Sequence, residues 1–329
     1  MLTRAAKYFF LLLAFQGWTF LSAAQNVLLP EERNITLAEN LAEPEMTGMT
    51  ITKRVDEVNL VFTVTDSHGH FVSNLPRDVF ELRDNKEPPD KVNYFQQQTE
   101  MPLRVALLID LSDSIRGRFK FEQEGAIVFF KKILRPQTDR AFVIGFDSHV
   151  HLAQDSTSDP EKLASAIRAM QTGGETSFYD AILLACKKLE AENTHTTRRA
   201  IIIISDGLDT KSKSTLLDAQ EAIIRSEAVV YALSTNSMLG ERYPKGDAVM
   251  DMLIGPSGGR ILPAKEKSDL KQAFARIDRA LRSQYAIGYH PADFVFDGRF
   301  RSVEIVPSRR GLKVQTRKGY YAPRELINR

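Results

Sequence analysis

The sequence predicts an α/β protein: a doubly wound, mostly parallel sheet, with flanking β-strands that form a smaller β-domain. Two observations lead to this fold class. Between residues 102 and 282, nearly continuous apolar runs alternate with segments whose apolar residues recur at helical spacing. Such runs are typical of strands buried on both faces of a parallel sheet. On either side of this region lie short strand-like segments separated by turn residues, which indicate a second, β-rich unit.

The α/β region contains strand and helix patterns in regular alternation. The apolar runs that we interpret as strands are 105–109, 141–146, 200–204 and 229–233, with a shorter strand at 258–262. The segments with helical spacing are 119–134, 160–170, 179–191, 216–226, 248–254 and 270–281. Repeated strand–helix alternation is typical of a doubly wound domain, which we place at 102–282.

The flanking segments show strand patterns of a different kind. Apolar and polar residues alternate from Val58 to Thr65, which predicts a strand with one buried face. Further strands are predicted at 80–85 and 92–95, so residues 51–99 form a β-strand unit. Strand patterns return within 283–323, and we expect these C-terminal strands to pack with those of 51–99. The α/β domain would then be an insertion in one β-domain.

The N-terminus has the pattern of a secretory signal peptide. Arg4 and Lys7 precede an apolar stretch that ends near Phe20, and small residues follow up to Ala24. The stretch is shorter than the roughly 20 residues that span a bilayer, so we expect cleavage after Ala24 and export to a periplasm or the cell exterior. Retention as a membrane anchor is the alternative. Residues 25–50 are polar, and we interpret them as a tether.

Charge and cysteine content exclude several classes of protein. Lys and Arg number 44 and Asp and Glu 42, so the net charge of +2 gives no electrostatic basis for binding nucleic acid. The single cysteine, Cys186, excludes an intramolecular disulfide and any metal site built from several cysteines. We expect no transmembrane span in the mature chain.

Hydroxyl and carboxylate side chains follow the predicted buried strands. Asp110, Ser112 and Ser114 come after the first strand, Thr176 follows a double glycine, and Asp206 follows the strand at 200–204. In open α/β sheets, ligands bind where the strands end. Ligand sets made only of oxygen suit hard cations such as Mg²⁺, which keeps several waters. These five residues are therefore predicted to bind Mg²⁺ or Mn²⁺.

The same five residues resemble the metal-ion-dependent adhesion site of von Willebrand factor type A (VWFA) domains. All five match that motif in order and spacing, and the flanking strands resemble those of VWFA-related proteins described from Acidobacteria. The resemblance implies a Rossmann-like fold of the VWFA type and a non-enzymatic function. In that function an Asp or Glu carboxylate of a protein partner fills the open position on the metal.

Three alternatives remain. Turn formation and helix capping would explain serines and aspartates before helices, and Ser177 could stand in for Thr176; we interpret Asp113 and Asp209 as solvated turn residues. An exported Mg²⁺-dependent hydrolase is a second possibility, although the His68/His70 and His149/His151 pairs show no third ligand. The third is a structural cell-envelope module with a purely stabilising metal, whose basic C-terminal strands contact an anionic envelope polymer.

Overall fold

A computed structural model describes residues 57–98, 100–192, 197–236, 245–264 and 266–324. The signal peptide predicted at 1–24 and the tether predicted at 25–50 lie outside the described residues. Within the described ranges, no helix combines the length and apolarity needed to cross a membrane.

Strands and helices alternate through the middle of the chain, and strands alone flank them. In chain order the strands are β1 (Val58–Thr65), β2 (Phe80–Asp84), β3 (Lys91–Gln98), β4 (Leu103–Asp110), β5 (Arg140–Phe146), β6 (Val150–Thr157), β7 (Arg198–Ser205), β8 (Val229–Ser234), β9 (Arg260–Pro263), β10 (Gln284–His290), β11 (Phe300–Pro307), β12 (Lys313–Thr316) and β13 (Gly319–Tyr321). The helices are α1 (Phe119–Ile133), α2 (Pro160–Ala169), α3 (Phe178–Ala191), α4 (Leu216–Ser226), α5 (Lys245–Ile254) and α6 (Lys267–Arg282).

A six-stranded sheet in the order β6-β5-β4-β7-β8-β9 forms the centre of the α/β domain. Its strand pairs are parallel except for β5 and β6, which form an antiparallel pair at one edge. Leu107 of β4 lies in a core shared with α1, α2 and α6, whereas the neighbouring Leu108 lies in a core shared with α3, α4 and α5. Because both faces are buried, the strand reads as one apolar run. The predicted fold class is confirmed.

Two antiparallel sheets form the smaller β-domain. One has the order β12-β1-β10-β3 and the other β13-β11-β2. Aromatic rings fill the core between them: Phe62 lies 5.2 Å from Phe80 and 5.4 Å from Tyr285, measured between ring centroids. β1 and β3 precede the α/β domain in the chain and β10 and β12 follow it, so that domain is inserted between strands of one sheet.

Among the elements that differ from the sequence prediction, three do so for local reasons. α5 begins at Lys245 rather than 248, because its first turn contains no apolar residue that would show the helical period. β9 begins at Arg260 rather than 258, because Gly258 adopts a left-handed conformation with φ of 76°. β13 was not predicted, because three residues are too few to display a strand period.

The two domains are joined by charged side chains and by a short chain connection. Glu227, at the end of α4, accepts hydrogen bonds of 2.7 Å from both Arg199 of β7 and Arg317, which follows β12. Only Ser283 separates α6 from β10. Arg301, another cation of the C-terminal strands, is buried. Arg301 and Arg317, two basic residues of the C-terminal segment, are therefore engaged within the protein.

Candidate metal centre

The carboxyl ends of two neighbouring parallel strands bring the predicted acidic residues together. Asp110 is the last residue of β4, and Asp206 directly follows β7. β4 and β7 pair in parallel over seven residues, from Leu103 to Ile109 on β4, so both strands end at the same edge of the sheet. Asp110 is fully buried and Asp206 is 6% exposed. Two carboxylates thus lie in a place with little access to water.

A short chain of hydrogen bonds joins Ser112, Ser114 and Asp206. The Ser114 hydroxyl donates to Oδ2 of Asp206 over 3.0 Å, and the Ser112 and Ser114 hydroxyl oxygens are also 3.0 Å apart. A hydroxyl has one proton, and that of Ser114 is committed to Asp206, so Ser112 is the donor to Ser114. Lone pairs remain on both hydroxyl oxygens. The two serines therefore present neutral oxygen ligands beside the carboxylates.

The carboxylate of Asp110 is held by two donors. Oδ1 accepts from the backbone N–H of Ser112 over 2.9 Å, and Oδ2 accepts from the Ser205 hydroxyl over 2.7 Å. Burial above all, together with the negative charge of Asp206, raises the pKa of Asp110 to about 6 against the opposing effect of these hydrogen bonds. A cation placed between the two carboxylates would offset this unfavourable charge.

Thr176 is positioned through its backbone. Its N–H donates to the Thr210 hydroxyl and its carbonyl accepts from the Thr210 N–H, both over 2.9 Å. The loop that precedes it donates from Gly173 N to the Leu111 carbonyl over 2.7 Å. The loop of Thr176 therefore lies against the loop of Ser112 and Ser114. The structure brings four of the five predicted residues into one hydrogen-bonded group and places Thr176, which is buried, on the adjoining loop.

Capping does not account for the serines. Ser112 precedes a single 3₁₀ turn and makes no capping hydrogen bond through its side chain, and the Ser114 hydroxyl is directed to Asp206. Ser177, the alternative to Thr176, stands at the N-terminus of α3, where its side chain likewise makes no capping bond.

Asp209 caps α3, and its interpretation as a solvated turn residue was wrong. Its Oδ1 accepts from the backbone N–H of Phe178 over 2.8 Å and from the Ser212 hydroxyl over 2.6 Å. Because α3 begins two residues after Thr176, this cap also fixes where the loop of Thr176 ends.

Two further residues support the site and were not predicted. Ser205 holds Asp110, and the side-chain amide of Asn236 donates to the Asp206 carbonyl over 2.5 Å. Ser205 does carry a signal in the sequence, since a hydroxyl ends an otherwise apolar strand directly before a motif aspartate. Asn236 follows a different strand and carries no comparable signal.

A third acidic group lies beneath the site. Glu122 of α1 is fully buried and forms an ion pair with Arg118, with 3.3 Å between Oε1 and Nε. A different nitrogen of Arg118, Nη2, donates to the Thr235 hydroxyl over 2.8 Å. Burial raises the pKa of Glu122 to about 8; Arg118 opposes the rise, and Asp110 and Asp206 add to it. Glu122 is therefore electrostatically coupled to both carboxylates of the candidate centre.

The donor set suits a hard cation rather than a soft one. Among the described residues, no three His, Cys, Asp or Glu side chains converge in a way that would hold a metal ion. The candidate centre instead combines two carboxylates with neutral hydroxyls, so all of its donors are oxygen atoms, as Mg²⁺ and Mn²⁺ prefer. The residues present fit such an ion.

The fold and the candidate site together define a class of protein: an α/β domain with hydroxyl and carboxylate side chains at the carboxyl ends of its parallel strands. Residues 105–208 match the sequence model of the von Willebrand factor type A domain family. This range begins in β4, ends just after Asp206 and contains all five motif residues. The chain thus contains a von Willebrand factor type A domain, as its motif predicted.

Several solved structures are similar to this chain. The conserved hypothetical protein BatB from Bacteroides thetaiotaomicron is 16% identical, with a TM-score of 0.43, over 55% of this chain and all of that one. A von Willebrand factor type A protein from Catenulispora acidiphila is 11% identical, with a TM-score of 0.48, over 75% and 74%. Proximal thread matrix protein 1 from the mussel byssus, with a zinc-occupied MIDAS motif, is 12% identical, with a TM-score of 0.48, over 61% and 50%. No curated protein matches the chain. Catenulispora belongs to the Actinobacteria, so the resemblance to acidobacterial proteins remains a prediction.

Proposed function

We propose that this protein is an exported, non-enzymatic binding module that holds an acidic side chain of a protein partner through a divalent metal ion, Mg²⁺ or Mn²⁺. The ligands are Asp110, Ser112, Ser114, Thr176 and Asp206. The observation that carries the proposal is the hydrogen-bonded chain from Ser112 through Ser114 to Asp206, directly beside the buried carboxylate of Asp110. The family match over 105–208 supports it independently.

The residues around the ligands orient them before any partner arrives. Ser205 and the backbone of Ser112 hold the two oxygens of Asp110. The Leu208 N–H, 3.0 Å from Oδ1, holds Asp206. Neutral serine and threonine hydroxyls do not cancel the charge of the ion as further carboxylates would. With two carboxylates the formal charges of a divalent ion and its ligands sum to zero, so a bound ion would act as an electrophile at a coordination position that the protein leaves open, where a carboxylate from outside could bind.

A binding role accounts for the site better than hydrolysis does. A metal-assisted hydrolase needs a general base beside the activated water. Both carboxylates of the centre are already engaged by donors of the protein. The histidines at the same edge of the sheet, His149 and His151, lie beside Asp147 rather than beside Asp110 or Asp206. The side chains of the candidate centre are therefore better suited to bind a ligand than to transfer a proton.

Export rests on the signal-peptide pattern at 1–24. We expect the native protein to be processed after Ala24 and to lie in the periplasm or outside the cell. Mass spectrometry of the native protein tests this, and a mature chain that retains residues 1–24 would contradict it.

Metal binding is tested by calorimetry with Mg²⁺ and Mn²⁺. The wild-type protein should bind one equivalent, and Asp110→Ala should lose this binding while its circular dichroism is unchanged. Asp251→Ala, which removes an exposed aspartate of α5, is the matched control and should bind as the wild type does. Undiminished affinity in Asp110→Ala would contradict the assignment.

Partner binding is tested by a pull-down from envelope extract with Mg²⁺ or with EDTA. Partner capture should require both Mg²⁺ and Asp110. Metal binding without any metal-dependent capture would instead support the structural module with a stabilising ion.

A further inference from the structure

A cavity of about 150 Å³ lies between the α/β domain and the sheet β12-β1-β10-β3. Val61 and Ala286 line it from that sheet, and Val229 and Leu281 line it from the α/β domain. One water needs about 10–15 Å³ of such space, and a cavity of about 150 Å³ admits benzene. The cavity is therefore large enough for a small organic molecule, and it has apolar walls on two sides.

Two buried polar side chains line this cavity without a hydrogen bond of their own. Gln284 of β10 and Tyr231 of β8 are each 5% exposed. No hydrogen bond joins the amide of Gln284 or the hydroxyl of Tyr231 to another residue that the structure describes. Buried polar side chains in proteins are nearly always hydrogen-bonded. Because these two come from different domains and line one cavity, a single occupant would satisfy both.

Positive charge predominates in the wall of the cavity. In the described ranges its charged residues are Arg198, Arg199, Arg317 and Glu227, which sum to a formal charge of +2. Glu227 accepts hydrogen bonds of 2.7 Å from both Arg199 and Arg317, so one carboxylate serves two guanidinium groups. Nε of Arg317 is buried and has no hydrogen-bond partner in the described part of the chain. The wall thus favours an anion.

Arg198 adds a buried positive charge in surroundings that are themselves positive. Its Nη1 donates to the carbonyl of Leu281, which is a neutral acceptor. Burial above all, together with the positive charges of Arg282 and Arg135, lowers the pKa of Arg198 to about 10. The charge of Glu100 opposes this shift. An anion in the cavity would offset the repulsion that the guanidinium of Arg198 experiences.

We propose that the cavity between the two domains binds a small organic anion that carries hydroxyl groups, of the class of a sugar acid or a glycerol phosphate. The arginines attract its acid group, and its hydroxyls form hydrogen bonds with Gln284 and Tyr231. Its carbon skeleton lies against the apolar walls, in a place where ligand sites are common, at a domain interface. The cavity lies where β7 and β8 begin, whereas the candidate metal centre lies where β4 and β7 end. Binding here therefore requires neither the metal ion nor its ligands.

Calorimetry of the full chain in EDTA tests the class of ligand. It compares D-glucuronate and glycerol 3-phosphate with D-glucose, glycerol and inorganic phosphate. At least one of the two hydroxylated anions should bind with one equivalent, and the one that binds identifies the acid group. The other three compounds lack either the charge or the hydroxylated skeleton, so they should bind at least about tenfold more weakly. Binding of neither hydroxylated anion, or equal binding of an uncharged analogue or of inorganic phosphate, would overturn the proposal.

Two conservative variants test the site itself. Tyr231→Phe removes one hydroxyl, and Gln284→Leu replaces the amide by an apolar side chain of similar size. Each should weaken binding of the anion about tenfold, because a hydroxyl of the ligand loses its partner. Since neither group has a hydrogen-bond partner among the described residues, the urea midpoint without ligand should not fall. Unchanged affinity in both variants, or a lower midpoint in both, would contradict the proposal.

Tyr285→Phe is the matched control. Tyr285 follows Gln284 in the chain but lies in the core of the β-domain, where its hydroxyl accepts from the Leu75 N–H and donates to the Val72 carbonyl, both over 3.1 Å. Its loss should lower the urea midpoint and leave the affinity for the anion unchanged. Asp110→Ala should also retain this affinity, so failure of the candidate metal centre leaves the result intact. Tenfold weaker binding in either control would overturn the assignment to this cavity.

Discussion

The hydroxyl of Ser205 donates a 2.7 Å hydrogen bond to Oδ2 of Asp110 and so joins the carboxyl ends of β7 and β4. Both residues are fully buried. The oxygen of the same hydroxyl accepts from the Gly207 N–H over 2.9 Å. One serine therefore positions the first acidic residue of the candidate site and the turn that presents the second.

Ser205→Ala should destabilise the metal-free protein by about 1–3 kcal/mol, because a buried carboxylate loses a donor. It should also weaken Mg²⁺ binding. Urea unfolding in EDTA and calorimetry measure the two effects. Ser226→Ala is the control: Ser226 is equally buried but donates to the neutral carbonyl of Ile223, so Mg²⁺ affinity should not change. Equal Mg²⁺ affinity in both variants would show that Ser205 does not support the site.

Glu122→Gln should change how stability depends on pH. The pKa of Glu122 is raised from the ordinary 4.5 to about 8, so the folded state binds a proton that the unfolded state releases. The stability that this group contributes is present below pH 4.5 and is lost as the pH rises through 8. The glutamine variant has no titratable group at this position and therefore does not lose this stability as the pH rises. Its stability relative to the wild type should therefore rise between pH 5 and pH 9, by a few kcal/mol at most.

Urea unfolding at several pH values measures this difference. Glu124→Gln is the control, since Glu124 is exposed on the same helix and pairs with Lys267, which lowers its pKa. The difference in unfolding free energy between Glu124→Gln and the wild type should stay constant between pH 5 and pH 9. A flat difference for Glu122→Gln as well would contradict the assigned shift.

Asp209→Ala should destabilise the protein by about 1–2 kcal/mol, because the first turn of α3 loses its cap. Mg²⁺ affinity should also fall, since that cap fixes the end of the loop of Thr176. Asp209→Asn retains an oxygen that can accept from the Phe178 N–H and should lose less on both measures. Thermal unfolding and calorimetry provide the readouts. If Asp209→Ala lost no more stability and no more Mg²⁺ affinity than Asp209→Asn, the side chain of Asp209 would not be the cap of α3.

Glu227→Ala should cost about 1–2 kcal/mol, because two arginines from different domains lose a shared acceptor. The side chain of Glu227 is 42% exposed, so solvent screening keeps the loss below that of a fully buried pair. Glu221→Ala breaks an exposed pair with Arg225 on the same helix and should cost no more than about 0.5 kcal/mol. Urea unfolding compares the two, and equal losses would mean that the contact between the domains adds nothing to stability.

Local pattern was enough to predict the α/β domain, because strands buried on both faces leave uninterrupted apolar runs and the helices between them keep their period. The register of the strand pairs in the β-domain could not be predicted in this way. Phe62 and Tyr285 are opposite each other in register although more than 200 residues separate them, and no local pattern encodes that register. Such contacts are decided by which strands meet when the whole chain packs.

The candidate site likewise contains residues that a sequence motif reveals and residues that only tertiary contacts reveal. Asp110, Ser112 and Ser114 are close in sequence, so a motif can reveal them. The contact between Ser205 and Asp110 exists only because β4 and β7 are neighbours. Arg118 and Glu122 look like an ordinary exposed pair one helical turn apart, and only the packing of α1 shows that the glutamate is fully buried. Residues that support the candidate ligands are harder to predict than the candidate ligands themselves, because their roles arise from tertiary contacts.

The insertion of the α/β domain between β3 and β10 has a mechanical consequence. Its two chain connections enter the same sheet side by side, with Gln98 opposite Gln284, and α6 continues into β10 after Ser283 alone. A pull on the α/β domain along these strands draws β3 and β10 in the same direction and loads the ladder between β10 and β1 in shear. The six residue pairs of that ladder, from Val58–Tyr289 to Thr63–Gln284, then share the force at once instead of opening one after another.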